Sequence, residues 1–509
     1  MSIEPRTSTI DAILRRSTSR HPDRRALTFG DRRWSYRELD DAASRGAQFL
    51  HELGVRPGDR VATYGRNSDA YAIAFLACAR GGFVHVPINY ALTGAELSYL
   101  IVQSGSSAVL VDPALLPAID TIRGELTGVH VEMLRDTDTS LLTRSRTGEV
   151  PEIATSAADG DLAQLLYTSG TTSKPKGAMM THRALVHEYL SSIVALGMTS
   201  DDRPLICMPL YHSAGMHVFL MPYLAVGACI DLLETPDVPE ILRRIETDRI
   251  NSLFLAPTVW VALSNHPDLP SRDLSSLTKA QYGASIMPVT VLQRLRSRYP
   301  ELKFYNCFGQ SEIGPLACVL GPDEHDDRPA SCGRAVLFVE TRVVDTDGND
   351  VPPGTPGEVL YRSPQLCTGY WERPAETAEA FRDGWFHSGD MVVADTDGYL
   401  TVVDRIKDVI NTGGVLVASR DVEDAIFTHD AVAEVAVIGT PDDRWIEAVT
   451  AYVVIKPAAV VTDSEIIAHA KGALAGFKVP KKVYFIDDLP RNQSGKILKR
   501  ALRERNSAP

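Results

Sequence analysis

A chain of 509 residues is long enough for several domains with ample core, and 44% hydrophobic and 23% charged content are ordinary globular values. The formal net charge of -13 excludes the basic footprint that non-specific nucleic-acid binding needs, so any polyphosphate site must gather Lys and Arg locally against the overall field. Seven cysteines (78, 207, 229, 307, 318, 332 and 367) form no Cys-x-x-Cys pair, a pattern that fits a reducing, cytoplasmic compartment with thiols used as small apolar residues.

In chain order, Met1 to Leu27 is charged throughout and has no apolar run, so no secretory signal is expected. Ser35-x-x-Glu38 reads as a capping box opening a helix whose apolar stripe is Leu39, Ala42, Ala43, Phe49 and Leu50. Asp59 to Tyr64 reads as a strand, and Phe75 to Arg80 as part of the next helix. Leu162 to Leu166 reads as a buried strand that runs into the polar loop Tyr167 to Gly177. Val218 to Ile230 is the longest apolar stretch; it is too short to span a bilayer, carries Pro222 and reads as a buried helix, so no transmembrane segment is expected. This alternation of strand and helix patterns is that of an α/β architecture. From Asp345 the texture changes to Gly- and Asp-rich turns between short strands, as in Asp345-Thr-Asp-Gly348, Pro352-Pro-Gly-Thr-Pro-Gly357 and Asp395-Thr-Asp-Gly398. After Asp404-Arg-Ile-Lys-Asp408 a compact α/β pattern continues to the end. The sequon Asn492-Gln-Ser494 reads as chance, and Ser507-Ala-Pro509 is not a peroxisomal address.

The small residues and hydroxyls of Tyr167-Thr-Ser-Gly-Thr-Thr-Ser-Lys-Pro-Lys-Gly177 let a backbone close around phosphate oxygens, and Lys174 and Lys176 add positive charge. It is not a Walker loop: the Gly-Lys-Ser/Thr step is absent, and Pro175 breaks the entry into a helix. A flexible polar surface loop is the plain alternative. Three further motifs follow in order: Asn306-Cys-Phe-Gly-Gln-Ser-Glu312, Gly384-Trp-Phe-His-Ser-Gly-Asp390 and Pro490-Arg-Asn-Gln-Ser-Gly-Lys-Ile-Leu-Lys499. With the loop they resemble the acyl-adenylate-forming superfamily of acyl-CoA synthetases, peptide-synthetase adenylation domains and beetle luciferases. They stand where that family has its phosphate loop, its Tyr-Gly-x-Thr-Glu motif (Phe308 for Tyr, Ser311 for Thr), its ribose motif and its C-terminal lysine loop. The resemblance covers nearly the whole chain. It implies a large multi-subdomain N-terminal α/β domain over residues 1–403, holding the adenylate and acyl sites. A hinge at Asp404 and a small mobile C-terminal α+β domain over 404–509 would follow.

The chemistry implied is attack of a carboxylate on the α-phosphate of ATP to give acyl-AMP, then displacement of AMP by a thiol. The first step brings two anions together, so charge must be neutralised and an in-line geometry held. By the resemblance, Thr168, Ser169, Gly170, Thr171, Thr172 and Lys176 cradle the β- and γ-phosphates. Glu312 holds Mg²⁺ with the Thr168 hydroxyl, Mg²⁺ taking few protein oxygens and keeping waters. Asn306 and Phe308 form the adenine site, the amide facing the base edge and the ring stacking on its face, with Gly309 and Ser311 in the same motif. Gly283-Ala284-Ser285 is the other wall, small enough for close backbone approach. Asp390 accepts from the ribose hydroxyls, Arg405 adds a contact to ribose or α-phosphate, and Lys496 reaches carboxylate and phosphate as the adenylation lysine. His212, in Pro209-Leu-Tyr-His-Ser-Ala-Gly215, packs near the carboxylate and gates the acyl pocket, with a structural histidine as the rival reading.

Amino-acid-activating relatives place an Asp in this segment to pair with the substrate ammonium group. No Asp lies between Leu210 and Phe219, and Met216, Val218 and Phe219 are apolar, so an uncharged acyl chain fits better. One departure bears on the acceptor. Where CoA ligases of the family commonly run Gly-Gly-Glu-Asn-Ile and then Pro-x-Glu-(Val or Ile)-Glu, this chain has Gly413-Gly414-Val-Leu-Val-Ala-Ser-Arg-Asp-Val-Glu423, and Ile446 stands where Gly is frequent. In the family this loop lines the tunnel for the phosphopantetheine arm, so the thiol acceptor stays open between free CoA, slightly favoured, and an acyl carrier protein. The expectation is therefore an AMP-forming ligase of a fatty or similar apolar acid. An amino-acid-activating or oxygenating relative and a catalytically dead adenylate-binding regulator are the alternatives. The first is disfavoured by the missing Asp, the second by intact Glu312, Asp390 and Lys496.

Overall fold

The computed structural model describes residues 7–507 except 154–156, 169–173, 286, 414, 443, 458 and 492–496, with the backbone alone at 416, 506 and 507. The chain divides into two compact units. One comprises Met1–Gly170, Lys174–Glu340 and Arg362–Phe386; the other comprises Thr341–Tyr361 and His387–Pro509.

Two sheets carry the first unit. The six-stranded sheet runs, in spatial order, His130–Met133, Ser106–Val111, Arg60–Tyr64, Val84–Ile88, Leu162–Thr168 and Lys176–Thr181. All its pairings are parallel except the last, in which Tyr167 faces Gly177 and Thr168 faces Lys176. Val84–Ile88 is buried along its whole length, as parallel strands covered on both faces are. The helix Tyr36–Glu52 opens on the expected capping box, with Ser35 accepting from the Glu38 amide and Glu38 from the Ser35 amide, and its stripe Leu39, Ala42, Ala43, Phe49 and Leu50 is buried. The next helix, Asp69–Gly81, is buried almost throughout and ends on Gly82 at φ +70°.

The nine-stranded sheet runs Arg334–Ala335, Cys318–Leu320, Lys303–Phe308, Lys279–Gly283, Ser252–Leu255, Pro204–Ile206, Ile230–Leu232, Arg25–Phe29 and Arg32–Ser35, parallel at its centre and antiparallel at both ends. Trp260, Phe304, Leu253 and Leu295 belong to the core packed on it. The expected helix over Val218 to Ile230 is only part of what forms. The chain makes a π-helix over Ala214–Leu220, continues as the α-helix Met221–Val226, stops at Gly227 (φ +87°) and enters the strand Ile230–Leu232. Pro222 follows the π-to-α junction, where its missing N–H withholds a donor from a carbonyl of the preceding π-helical turn, and Gly227 supplies the left-handed stop that ends the helix.

A buried polar chain ties the two sheets' elements together. Tyr189 Oη lies 3.0 Å from His217 Nδ1, and His217 Nε2 lies 2.6 Å from Gln164 Oε1. Gln164 Nε2 is 2.9 Å from His85 Nδ1, and His85 Nε2 is 3.1 Å from Thr63 Oγ1. An amide oxygen can only accept and an amide nitrogen can only donate, so both imidazoles are held as neutral Nε2–H tautomers. Burial pushes both ring pKa values down to about 3.

In the second unit the strand Trp385–Ala394, from His387 onward, pairs antiparallel with Leu400–Arg405 across the turn Asp395 to Gly398. The C-terminal sheet runs Val415–Val417, Ile410–Thr412, Ile446–Ile455 and Val432–Asp442, with Lys482–Phe485 parallel to Ile446–Ile455. Val422, Ile426 and Ile466, from the helices Ser419–Phe427 and Asp463–Ala473, pack into its core. Among the described residues no helix is long and apolar enough to cross a membrane.

Candidate active site

The phosphate-loop segment is flanked by the antiparallel pair Leu162–Thr168 and Lys176–Thr181, so the expected strand continues through Tyr167 and Thr168. Ser169, Gly170, Thr171 and Thr172 lie outside the described residues. The two lysines part company. Lys174 Nζ sits 4.9 Å above the ring of Tyr99, and Lys176 Nζ sits 5.1 Å above the ring of Tyr370. The Tyr370 hydroxyl donates to Glu312 Oε1 at 3.2 Å, and the Glu312 carbonyl accepts from the Cys367 amide at 2.8 Å. Tyr370 thus meets a cation with its ring face and a carboxylate with its hydroxyl, and Glu312 is only 7% exposed.

Glu312 is carried by the turn that follows the strand Lys303–Phe308. Gly309 has φ +154°, and a Cβ there would come within 1.9 Å of the Pro315 carbonyl oxygen, so the turn has room for glycine alone. Beneath it, the Glu188 carboxylate accepts from Ser192, from the Leu316 amide and from Gln365, whose amide also donates to the Ile313 and Leu316 carbonyls. Burial pushes the Glu188 carboxyl well above the usual range against those three donors. Gly283 and Ala284 lie where the neighbouring strand ends. A Cβ on Gly283 would meet the Cys307 carbonyl oxygen at 2.2 Å, Ala284 sits at φ +64°, and Ser285 is exposed. The close approach at Gly283 is to the next strand. Asn306, directly opposite Tyr282, donates one amide hydrogen to the Ser331 carbonyl at 2.9 Å, so the expectation that the amide faces a base edge holds for at most its other hydrogen and its oxygen. Phe308 is half-buried at the strand end.

Ser311 joins this motif to the segment bearing His212, its hydroxyl 3.0 Å from that of Ser213. His212 is half-buried; its amide donates to the Pro209 carbonyl at 3.2 Å, and its Nδ1 accepts from the Ala214 amide at 3.4 Å. A Cβ on Gly215 would strike the Pro209 carbonyl oxygen at 2.5 Å, which keeps this turn tight against the π-helix that begins at Ala214.

In the second unit Asp390, 3% exposed, is paired with Arg405 (Nε to Oδ1 2.6 Å) because the strand register puts them directly opposite. Asp404 points its carboxylate at the start of the helix Ser419–Phe427, where Oδ2 accepts from the Ser419 amide at 2.8 Å and its hydroxyl at 2.6 Å. Lys499 donates to the Ser419 hydroxyl and pairs with Glu423 at 2.8 Å. Gly413 (φ +65°) donates its amide to the Trp445 carbonyl, while Gly414 and Lys496 lie outside the described residues. The altered Val415-Leu-Val417 forms a strand against Ile410–Thr412, and Ile446, opposite Thr412, adopts φ +68°.

Tyr370, Gln365 and Glu188 were not expected from the sequence. A Gly-Tyr pair at 369–370 is the single local signal for the first; nothing local marks the others. Among the described residues no cluster of three or more His, Cys, Asp or Glu could enclose a metal. One buried carboxylate beside a cation suits an ion such as Mg²⁺ that is held mainly by substrate phosphates and water.

The family described as AMP-binding enzyme matches residues 14–371, and the AMP-binding enzyme C-terminal domain matches 421–496. The chain is 36% identical over 489 residues to a feruloyl-CoA synthase of Amycolatopsis sp, covering 95% of this chain and 96% of that one. It is 34% identical over 506 residues to the medium/long-chain-fatty-acid--CoA ligase FadD8 of Mycobacterium tuberculosis, covering 96% and 88%. The crystal structure of ATP-bound MatB from Rhodopseudomonas palustris superposes with a TM-score of 0.91 at 30% identity, covering 99% of both chains. With an α/β fold of a large N-terminal and a smaller C-terminal part, the protein belongs to the AMP-binding enzyme family, the acyl-adenylate-forming superfamily.

Proposed function

We propose that the protein activates an apolar carboxylic acid, of the fatty type or similar, with ATP and passes the acyl group to a phosphopantetheine thiol. In the first half-reaction a carboxylate oxygen bonds to the α-phosphorus, the bond to the bridging oxygen breaks, and pyrophosphate leaves. In the second the thiolate sulfur attacks the acyl carbon and AMP leaves. The observation that carries this reading is Tyr370, beside the phosphate-loop strands, meeting both Lys176 and Glu312, a cation and a carboxylate of the kinds that would serve a polyphosphate and its counter-ion. Glu312 and Thr168 would hold Mg²⁺, which when bound neutralises phosphate charge. Lys176 and residues 168–172 would bind the β- and γ-phosphates, Gly283, Ala284, Ser285, Asn306, Phe308, Gly309 and Ser311 the adenine side, and Asp390 with Arg405 the ribose. Lys496 would serve the attack on phosphate, and His212 the carboxylate end of the acyl pocket. Rotation about Asp404 would bring Gly413 and Gly414 to the thiol path.

CoA is the favoured acceptor, since the feruloyl and FadD8 relatives are both named for it. An acyl carrier protein is the alternative, favoured by the altered loop after Gly413. We place the reaction in the cytoplasm, consistent with the seven cysteines all being free thiols. The test is to offer CoA and a phosphopantetheinylated carrier protein with a panel of apolar acids and weigh the products. A thioester on CoA, or on the carrier, identifies the acceptor. Adenylate formation with neither thioester would refute the second half of the proposal.

A further inference from the structure

Glu188, on the helix His182–Ala195, is wholly buried, and every partner it has among the described residues is a neutral donor. A carboxylate in such a place is costly unless donors meet both its oxygens. Oε2 meets Gln365 Nε2 at 2.5 Å, and Oε1 meets the Leu316 amide at 3.3 Å and the Ser192 hydroxyl at 3.0 Å. An amide N–H can only donate, so each oxygen must accept. Gln365 is wholly buried too. Its oxygen accepts from the Ser191 hydroxyl at 2.6 Å, and its nitrogen also faces the Ile313 and Leu316 carbonyls at 3.2 and 3.1 Å. With two hydrogens for three acceptors, one goes to the carboxylate and the other is shared by the two carbonyls.

Those carbonyls belong to the turn that carries Glu312, and the Glu312 carbonyl accepts from Cys367, two residues beyond Gln365. Glu188 therefore ties together the two pieces of chain, 312–316 and 365–370, that meet at the Glu312 side chain. Only a carboxylate suits this position. An isosteric carboxamide at 188 would turn its NH₂ either to the Leu316 amide or to Gln365 Nε2. The Gln365 amide could turn over to meet it, but its oxygen would then face the Ile313 and Leu316 carbonyls. Either arrangement sets buried polar groups against their own kind, and the turn at Glu312 must shift to relieve it.

We infer that Glu188 is a positioning residue for the metal ion that Glu312 would hold: its carboxylate orients the Gln365 amide, and that amide sets the turn on which Glu312 stands. The inference rests on the role given to Glu312 in the proposed function and adds the group that places it. The test is equilibrium binding of ATP to the whole protein, with no acid present, once in Mg²⁺ and once in EDTA. Outer partners of metal ligands contribute about 10- to 100-fold to metal affinity. Glu188→Gln is therefore expected to weaken binding in Mg²⁺ by about 10-fold and to leave binding in EDTA within about twofold of wild type. Gln365→Leu should show the same split. The double variant should stay within about twofold of Gln365→Leu, because the two residues act in series. Equal weakening in both media, an unchanged affinity in Mg²⁺, or a double variant that multiplies the two losses would overturn the inference. Should Glu188→Gln fail to fold, Gln365→Leu decides alone, and the absence of the split in it overturns the inference. A wild type whose ATP binding gains nothing from Mg²⁺, or a Glu312→Gln variant that keeps the full gain, would instead sink the metal role in the proposed function.

Discussion

Tyr370 holds a cation over its ring and a carboxylate at its hydroxyl, and so keeps Lys176 and Glu312 apart yet close. Tyr370→Phe retains the ring under Lys176 and removes the hydrogen bond to Glu312. Bonds to charged groups are worth about 1.5–3 kcal/mol, so adenylation should slow by about 10-fold or more, with a higher Mg²⁺ concentration needed for half-maximal rate. An unchanged Mg²⁺ titration would remove Tyr370 from the site. Ile446 is a second residue-scale case. A β-branched residue at φ +68° and 60% exposed has strain without burial to offset it. Relief of about 1–3 kcal/mol outweighs glycine's extra unfolded-state entropy of about 0.5–1 kcal/mol. Ile446→Gly should therefore raise the urea midpoint, and a lower midpoint would contradict the strain. Both Glu312 and Ile446 were legible in the sequence, one inside a motif and one as a departure from a frequent glycine. Tyr370 was not, because it reaches Glu312 across 58 positions of chain and no local pattern encodes that meeting.

At the scale of elements, Ser419 at the start of its helix does what a proline there could not. Its amide and hydroxyl both donate to Asp404, and Lys499 reaches the same hydroxyl. Ser419→Pro removes both donors and leaves a largely buried carboxylate short of partners. It should cost about 2–4 kcal/mol in the stability of the second unit, against about 1–2 for Ser419→Ala, which keeps the amide. Equal losses in the two variants, read by urea unfolding, would show that the amide contributes nothing. The helix opened by Ser35 and the strands from Asp59 and Leu162 were readable because capping chemistry and apolar runs are local. The π-helix over Ala214–Leu220 was not, since its periodicity differs from an α-helix by too little to show in seven residues.

For the whole molecule, acid stability should follow three buried imidazoles. His85 and His217 are lowered to about 3 and His182 to about 4, in each case chiefly by burial, with His182 accepting from the Ile10 amide. Below the unfolded value near 6.5 the unfolded chain binds protons that the native rings refuse, so the stability they contribute is complete above pH 6.5 and falls as pH drops toward 3–4. The urea midpoint should decline through that window, and His217→Gln should flatten the decline; a midpoint independent of pH from 6.5 to 4.5 would contradict neutral rings. The α/β character of the chain was legible from its alternating patterns. A large N-terminal and a smaller C-terminal part were legible too, and the turn-rich texture from Asp345 lies near one edge of the second unit; the return of residues 362–386 to the first unit was not legible, because no local pattern marks where the chain packs back. The central claim is acyl-adenylate formation, and ATP–pyrophosphate exchange reads it directly. We predict exchange that depends on an apolar carboxylic acid, yields AMP, and is lost in Lys496→Ala and strongly reduced in Glu312→Gln; exchange with no acid of any kind, or ADP as the nucleotide product, would contradict it.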